Sequence, residues 1–347
     1  MGLTHSSSLG WTCSVVIPPV PSPYLVPFDG TFDLSAAPTR PPEVLRKKAA
    51  RKALAAQTVK IDGLQRRLFA SKEHSVLLVF QALDAAGKDG TIRALTCGLD
   101  SAGLQVSAFK TPSAEERRHD FLWRSARRLP EAGCIGVFNR SYYEEVLVVR
   151  VHPEYLGGQH LTLPEDLDTL WGQRFESIRD HERHLARNGT TILKFWLNVS
   201  RDEQARRFLS RIDEPEKHWK FSAGDLVERR CWPAYMNAFE EALRATSRPC
   251  APWYAIPADH KPTMRVEVAK IVSAALAALN PTYPTLDSQE RAELPGYASE
   301  LRAELGGDDV EALPGRLEEA HSVRLGGEQD RGDHPRNPTG EPEQGRQ

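Results

Sequence analysis

The amino-acid sequence predicts an α/β fold, a parallel sheet of about five strands sandwiched by helices. Short apolar runs recur at 76–80, 104–109, 134–138, 191–197 and 253–257, each long enough for one strand. Helix-length segments separate them, the spacing of parallel strands joined by crossovers. A loop of small residues ending in Gly87-Lys88 follows the first run at once.

Element by element, residues 1–41 are Ser/Pro-rich and nearly uncharged, which reads as a flexible extension. From 41 to 71 the chain is basic and helical, with Leu45, Ala49, Ala53 and Ala56 at near-regular spacing and Leu64 and Leu68 continuing it. The alternating strands and helices fill a domain over 42–280. After 281 the apolar periodicity fades into an acidic, largely disordered tail, with one short amphipathic helix near 288–305.

Composition narrows the function classes. No stretch approaches the ~18 uncharged apolar residues of a membrane span, and the N-terminus lacks the features of a secretory signal. Cysteines 13, 97, 134, 231 and 250 form no CxxC pair, which suits a reducing compartment, so a cytoplasmic protein is expected. The net charge of −2 hides a segregation: residues 41–280 carry 37 Lys+Arg against 30 Asp+Glu, whereas 281–347 carry 7 against 15. A mildly basic domain beside an acidic tail suits the handling of an anion.

Strand, small-residue loop, Gly-Lys, helix is the arrangement of a phosphate-binding loop. Ala85, Ala86, Gly87, Lys88, Asp89, Gly90 and Thr91 are its expected phosphate-binding residues. Small side chains let backbone N–H groups curl around an anion, the next helix aims its positive end there, and lysine adds a mobile charge. The pattern departs from G-x-x-x-x-G-K-[ST] at Ala82 and Asp89. A carboxylate inside an anion-binding loop implies a cation, so Asp84 is expected to take the Mg²⁺ duty of the missing Ser/Thr, with Mn²⁺ as a substitute.

Residues 83–92 resemble the Walker A segment of the type 2 polyphosphate kinase family, residues 138–152 its Walker B segment and residues 215–221 its lid region. The resemblance spans roughly 42–278 and is closest to class III. It implies a P-loop kinase-like fold and Mg²⁺-dependent transfer of the terminal phosphoryl group of inorganic polyphosphate to AMP or ADP. The expected partners are therefore polyphosphate and AMP, ADP and ATP, in a homo-oligomer with no nucleic-acid or membrane partner. An ATP-dependent small-molecule kinase and a non-catalytic polyphosphate- or nucleotide-binding protein remain as alternatives.

In the second motif, Asn139 ends the third run and offers a carbonyl oxygen to a metal, possible also through water. Family class I enzymes carry Asp here, so the position is tied to acceptor choice. Arg140 is a bidentate clamp for phosphoryl oxygens. Glu144 and Glu145 are expected to reach the acceptor or a metal-bound water; the family has Asp at the second position. A helical lid is expected at about 200–222, starting at Ser200 or Asp202, with Arg206, Arg207, Arg211, Lys217 and Lys220 facing polyphosphate. Trp219 is expected to pack.

Overall fold

A computed structural model describes residues 17–159 and 162–305. It separates into one unit ending at Pro284 and a second beginning at Thr285. All five apolar runs form strands: β1 (Ser75–Gln81), β2 (Leu104–Ala108), β3 (Ile135–Asn139), β4 (Thr190–Asn198) and β5 (Trp253–Pro257). They pair in parallel in the order β2-β3-β1-β4-β5. β1, β4 and β5 are buried along their whole length, as their near-continuous apolar sequences require of strands covered on both faces. β2 lies at an edge and is half-exposed.

The helices are α1 (Lys47–Ser71), α2 (Lys88–Thr96), α3 (Trp123–Ala126), α4 (Val148–Val151), α5 (Leu167–Arg187), α6 (Arg201–Asp213), α7 (Ala223–Arg230), α8 (Trp232–Thr246), α9 (Lys261–Leu279) and α10 (Ser288–Glu304). Strand side chains alternate between faces. Val76, Leu78, Phe80 and Phe195 therefore enter one core with α1, α2 and α9, through Leu68, Ile92 and Val268. Leu77, Val79, Ile192 and Trp196 enter the other with α5 and α8, through Phe175 and Phe239. On α1 the buried side chains include Ala50, Ile61 and Leu68, while Ala49 and Ala56 are exposed. The expected stripe is therefore rotated, because α9 packs along α1 and selects the face.

Residues 17–41 correct the expectation of a flexible extension. Leu25 bridges Tyr254 in antiparallel fashion, Val26 N–H donates to Trp253 O at 2.9 Å, and Ala255 N–H donates to Tyr24 O at 2.8 Å. The segment covers the free edge of β5, and Val26 and Phe32 are buried. Prolines 23 and 27 hold it extended, which suits strand-like pairing at an edge. Residues 1–16 of that extension, and 306–347 of the acidic tail, lie outside the described residues. In the second unit α10 forms where a short helix was expected, opened by a capping box of Asp287 and Glu290, and buries no side chain. Among the described residues no helix is long and apolar enough to cross a membrane, and Cys97, Cys134 and Cys231 are free thiols.

Candidate active site

Phe80 and Asn139 are paired in register, so the segments that leave β1 and β3 start side by side at the carboxyl edge of the sheet. Residues 82–87 turn from β1 into α2. Gly87 caps that helix at φ 106°, and Ala85 sits at φ 62°, a left-handed conformation that is strained for any residue with a Cβ. The strain is braced from α6. Gln204 Nε2 donates to Asp84 O at 2.9 Å, and Arg207 Nη1 donates to Ala85 O at 3.0 Å and to Ala86 O at 2.6 Å. Three successive carbonyls thus face α6. Trans peptides direct the N–H groups of Ala85 and Gly87 the opposite way. The amides that open α2 have no intrahelical acceptor. The loop is a cradle for an anion, and its amide side is the open one.

Arg140 follows β3, also in a left-handed conformation at φ 64°, with its N–H donated to Phe80 O at 3.1 Å. Its guanidinium bridges Asp84 Oδ1 at 3.1 Å and Glu144 Oε2 at 3.3 Å. Glu144 holds Arg140 more firmly protonated than usual. Burial pushes the Glu144 carboxyl above its ordinary range, against the pull of Arg140 and Lys88. Burial likewise lowers the Lys88 ammonium, and Arg140 adds to the effect while Glu144, Asp84 and Asp89 oppose it. Asn139 Nδ2 donates to Asp89 Oδ1 at 2.7 Å, which ties α2 to the end of β3 and leaves the Asn139 carbonyl oxygen available. Asp84, Lys88, Arg140 and Glu144 therefore lie together, with Asn139 joined to them through Asp89.

A cavity of about 540 Å³ opens beside this group. Asp84, Arg140 and Glu144 form its floor, Lys110, Arg117 and Arg124 bring cations from the segment after β2, and Tyr235 and Phe239 of α8 close an apolar wall. Asp225 of α7 also lines it; burial, and then Asp84, raise its carboxyl above the ordinary range. Glu145, Glu154 and Glu228 line it too, so the walls carry both signs of charge; the cations after β2 and the apolar side of α8 suit an acceptor with a phosphate and a ring.

A family model described as polyphosphate kinase 2 matches residues 44–284. The chain belongs to the polyphosphate kinase 2 family. It is 50% identical over 264 residues to an ADP-polyphosphate phosphotransferase of Rhodopseudomonas palustris, covering 76% of this chain and 91% of the relative. It is 42% identical to an AMP/ADP-polyphosphate phosphotransferase of Meiothermus ruber, over 75% of this chain and 94% of that one. Its fold superposes with a TM-score of 0.70 on the crystal structure of polyphosphate kinase 2 from Arthrobacter aurescens TC1, at 38% identity and over 77% and 93% of the two chains.

Against this polyphosphate kinase 2 framework, several residues lie where the sequence did not put them. Glu145 is buried and lines the same cavity, but its Oε2 accepts from Arg174 Nη1 of α5 at 3.2 Å and from Gln159 Nε2 at 2.7 Å, and no bond joins it to Arg140. Arg207 is also buried, and Ala258 O, Asp259 O and Glu203 complete its set of acceptors, so it grips the phosphate loop from behind and does not present its charge to a ligand. Arg211 is bound to Lys220 O and Asp225 Oδ2 across the helical hairpin. Arg206 is 69% exposed beside Glu203, Lys217 pairs with Glu214, and Lys220 lies 4.8 Å from the ring centroid of Trp219. Trp219 is 79% exposed, which corrects the expectation that it packs. The hairpin itself runs from α6, capped by the Ser200 hydroxyl, through a tight turn at Pro215–Lys220 into α7.

Sequence reasoning missed Arg174, Lys110 and Gln204. Arg174 is a charge among the apolar residues Trp171, Phe175 and Ile178 on the buried face of α5, and that is a visible signal. Lys110 lies just past a strand's carboxyl end, where ligands bind in such sheets. Gln204 carried no signal, because only the packing of α6 brings it to the loop.

Proposed function

We propose that this chain transfers the terminal phosphoryl group of inorganic polyphosphate to AMP and ADP, in a reaction that runs both ways. The observation that carries this reading is the convergence of Lys88, Arg140 and Asp84 at the mouth of the phosphate loop, beside a cavity lined by Lys110, Arg117 and Arg124 and by the apolar side of α8. The activities of the two relatives support polyphosphate as donor and adenine nucleotides as acceptors.

An oxygen of the acceptor's terminal phosphate attacks the end phosphorus of the chain, and the bond from that phosphorus to its bridging oxygen breaks. One phosphoanhydride replaces another, so the protein's contribution is positioning and electrostatic stabilisation. Lys88, Arg140 and the first-turn amides of α2 meet the equatorial oxygens. Glu144 aims Arg140. Arg206, Lys217 and Lys220 add positive charge from the lid as it closes.

Asp84 and Asn139 fit a divalent cation. Arg140 occupies only Oδ1 of Asp84, and the Asn139 carbonyl oxygen is available. Mg²⁺ takes one or two protein oxygens beside phosphate oxygens, which is what these two side chains can offer. Bound Mg²⁺ or Mn²⁺ neutralises charge on the phosphoryl group in transfer. Glu145 is given no chemical role, since Arg174 and Gln159 hold it.

Nucleotide product analysis tests the reading, with polyphosphate or ATP as sole donor and AMP or ADP as acceptor. ADP and ATP should form from polyphosphate with Mg²⁺. Product from ATP alone would make this a nucleoside-triphosphate-dependent kinase, and binding without product would make it a scaffold. Lys88→Ala should lower turnover by about a thousandfold, on the scale of losing a positioned charge at the transferring group, with an unchanged melting temperature.

A further inference from the structure

Beside the cavity, the returning arm of the lid hairpin is held by a few polar ties. α7 buries no side chain, and Leu226 and Val227 on it are exposed. Asp225 pairs with Arg211, and Arg229 Nη1 donates to Arg201 O and to Gln204 Oε1, each at 2.8 Å, so these ties stay within the hairpin. Glu228 reaches further. Its Oε2 lies 2.5 Å from the Tyr235 hydroxyl of α8 and 2.9 Å from Nε2 of His152, just past α4. Among the described residues, the contact with His152 is the one side-chain hydrogen bond from α7 that leaves the hairpin and α8.

His152 has a second acidic neighbour. Its Nδ1 lies 3.2 Å from Glu154 Oε1, and the rings of Tyr155 and Tyr235 stand at centroid distances of 5.5 and 6.3 Å. The imidazole thus meets a carboxylate at each nitrogen. A neutral ring carries one N–H and would turn a lone pair on one of the two acids, whereas an imidazolium donates to both. Burial works against that charge, and Glu228 and then Glu154 outweigh it, so the ring holds its proton above the ordinary 6.5. These two carboxylates and two tyrosines are the titratable groups that face it, from α7, from α8 and from the segment after α4. A histidine kept for packing alone would not need an acid on each nitrogen.

The latch stands at the rim of the cavity, which Glu154, Tyr155, Asp225, Glu228, Arg229 and Tyr235 all line. Gln204, which accepts from Arg229, donates in turn to Asp84 O. The position of α7 therefore sets one wall of the cavity and bears on the phosphate loop. Resting on the phosphoryl-transfer reading above, we propose that His152 is a positioning residue that, as an imidazolium, latches the returning arm of the lid against the rim of the acceptor cavity. The acceptor is enclosed while the latch holds. When the ring gives up its proton, one N–H is left for two acids, α7 comes free more often, and the acceptor is held less tightly.

Two measurements against pH on the full chain test this: hydrogen-exchange protection of the α7 amides, and kcat and KM for the acceptor nucleotide. As pH passes up through the titration of the ring, wild-type protection should fall and the acceptor KM rise by about tenfold, the scale of one charge-assisted hydrogen bond. His152→Gln has no ring to titrate. It should show the weakened protection and KM at every pH, with kcat nearly unchanged, and meet the wild-type curves at the alkaline end. Glu154→Gln alters an exposed position, so it should keep the melting temperature and move both steps to lower pH, which carries the test independently of the first variant. Wild-type and His152→Gln profiles that coincide, or steps that stay in place in Glu154→Gln, would overturn the latch. Exchange needs no donor, which separates the two readings. Protection of α7 that is independent of pH, with product from polyphosphate, removes the latch alone. A protection step that His152→Gln abolishes, with product from ATP only, removes the donor assignment and keeps the latch.

Discussion

Arg207 shows how a residue of the right type can serve a different end. Its guanidinium donates to Ala85, Ala86 and Ala258 carbonyls and pairs with Glu203, all buried or nearly so. It holds in place the left-handed Ala85, a conformation that costs about 1–3 kcal/mol and persists only when its surroundings enforce it. Arg207→Lys keeps the charge but loses the planar fork. It should destabilise the fold by about 1.5–3 kcal/mol, the scale of a charge-assisted hydrogen bond, and lower kcat with little change in KM for the nucleotide. A wild-type melting curve and kcat in that variant would show that the loop supports itself. The pattern of Arg207 and Arg211 one turn apart on a lid helix was legible in the sequence. Which of them faces a ligand was not, because burial is set by the partners a helix meets.

At the scale of elements, the strands and the phosphate loop follow from local pattern, and the segment at 17–41 does not. Tyr24-Leu25-Val26 is short and lies between prolines, so no periodicity announces it. Its order comes entirely from β5, whose edge it pairs with and shields. Removing residues 1–40 should cost on the order of 3–6 kcal/mol from Val26 and Phe32 alone, lower the melting temperature, and leave a bare edge strand that self-associates in light scattering. A monodisperse truncation with the full-length melting temperature would show that β5 needs no cover. The lone lysine in the 191–197 run is a related case. Lys194 looks wrong for a buried strand until tertiary structure supplies Glu182 at 2.6 Å, the Tyr143 hydroxyl at 2.8 Å and Thr246 O at 2.9 Å.

For the whole molecule, charge placement has a measurable consequence. Burial, then Arg207 and Arg265, push the Lys261 ammonium down to about 8 from its ordinary 10.5. Between those values the unfolded chain holds a proton that the folded chain has released, so this group adds stability as pH rises from about 8 to 10.5 and detracts from it below. Lys261→Gln should therefore be more stable than wild type at pH 7, with the gap closing by about pH 10.5, as chemical denaturation at several pH values would reveal. A gap that widens with pH would reverse the assignment. The second unit bears on activity differently. α10 buries no side chain, so a chain ending at Pro284 should keep the melting temperature and polyphosphate-dependent turnover of the full chain; loss of turnover would give the acidic tail a part in the reaction.

Runs of apolar residues at strand length and a Gly-Lys turn behind the first of them were enough to indicate the sheet and an anion cradle, while the chemistry came from the resemblance of three motifs to a known family. Those are local signals, carried by neighbours in the chain and by periodicities of about two and about 3.6 residues. Only the folded molecule decided that Glu145 belongs to Arg174, that Arg207 braces the loop, that the N-terminal segment seals β5, and that His152 meets Glu228 of α7. Each of these joins residues far apart in sequence through packing and burial, and the energy of such a contact depends on surroundings that no window of the sequence contains.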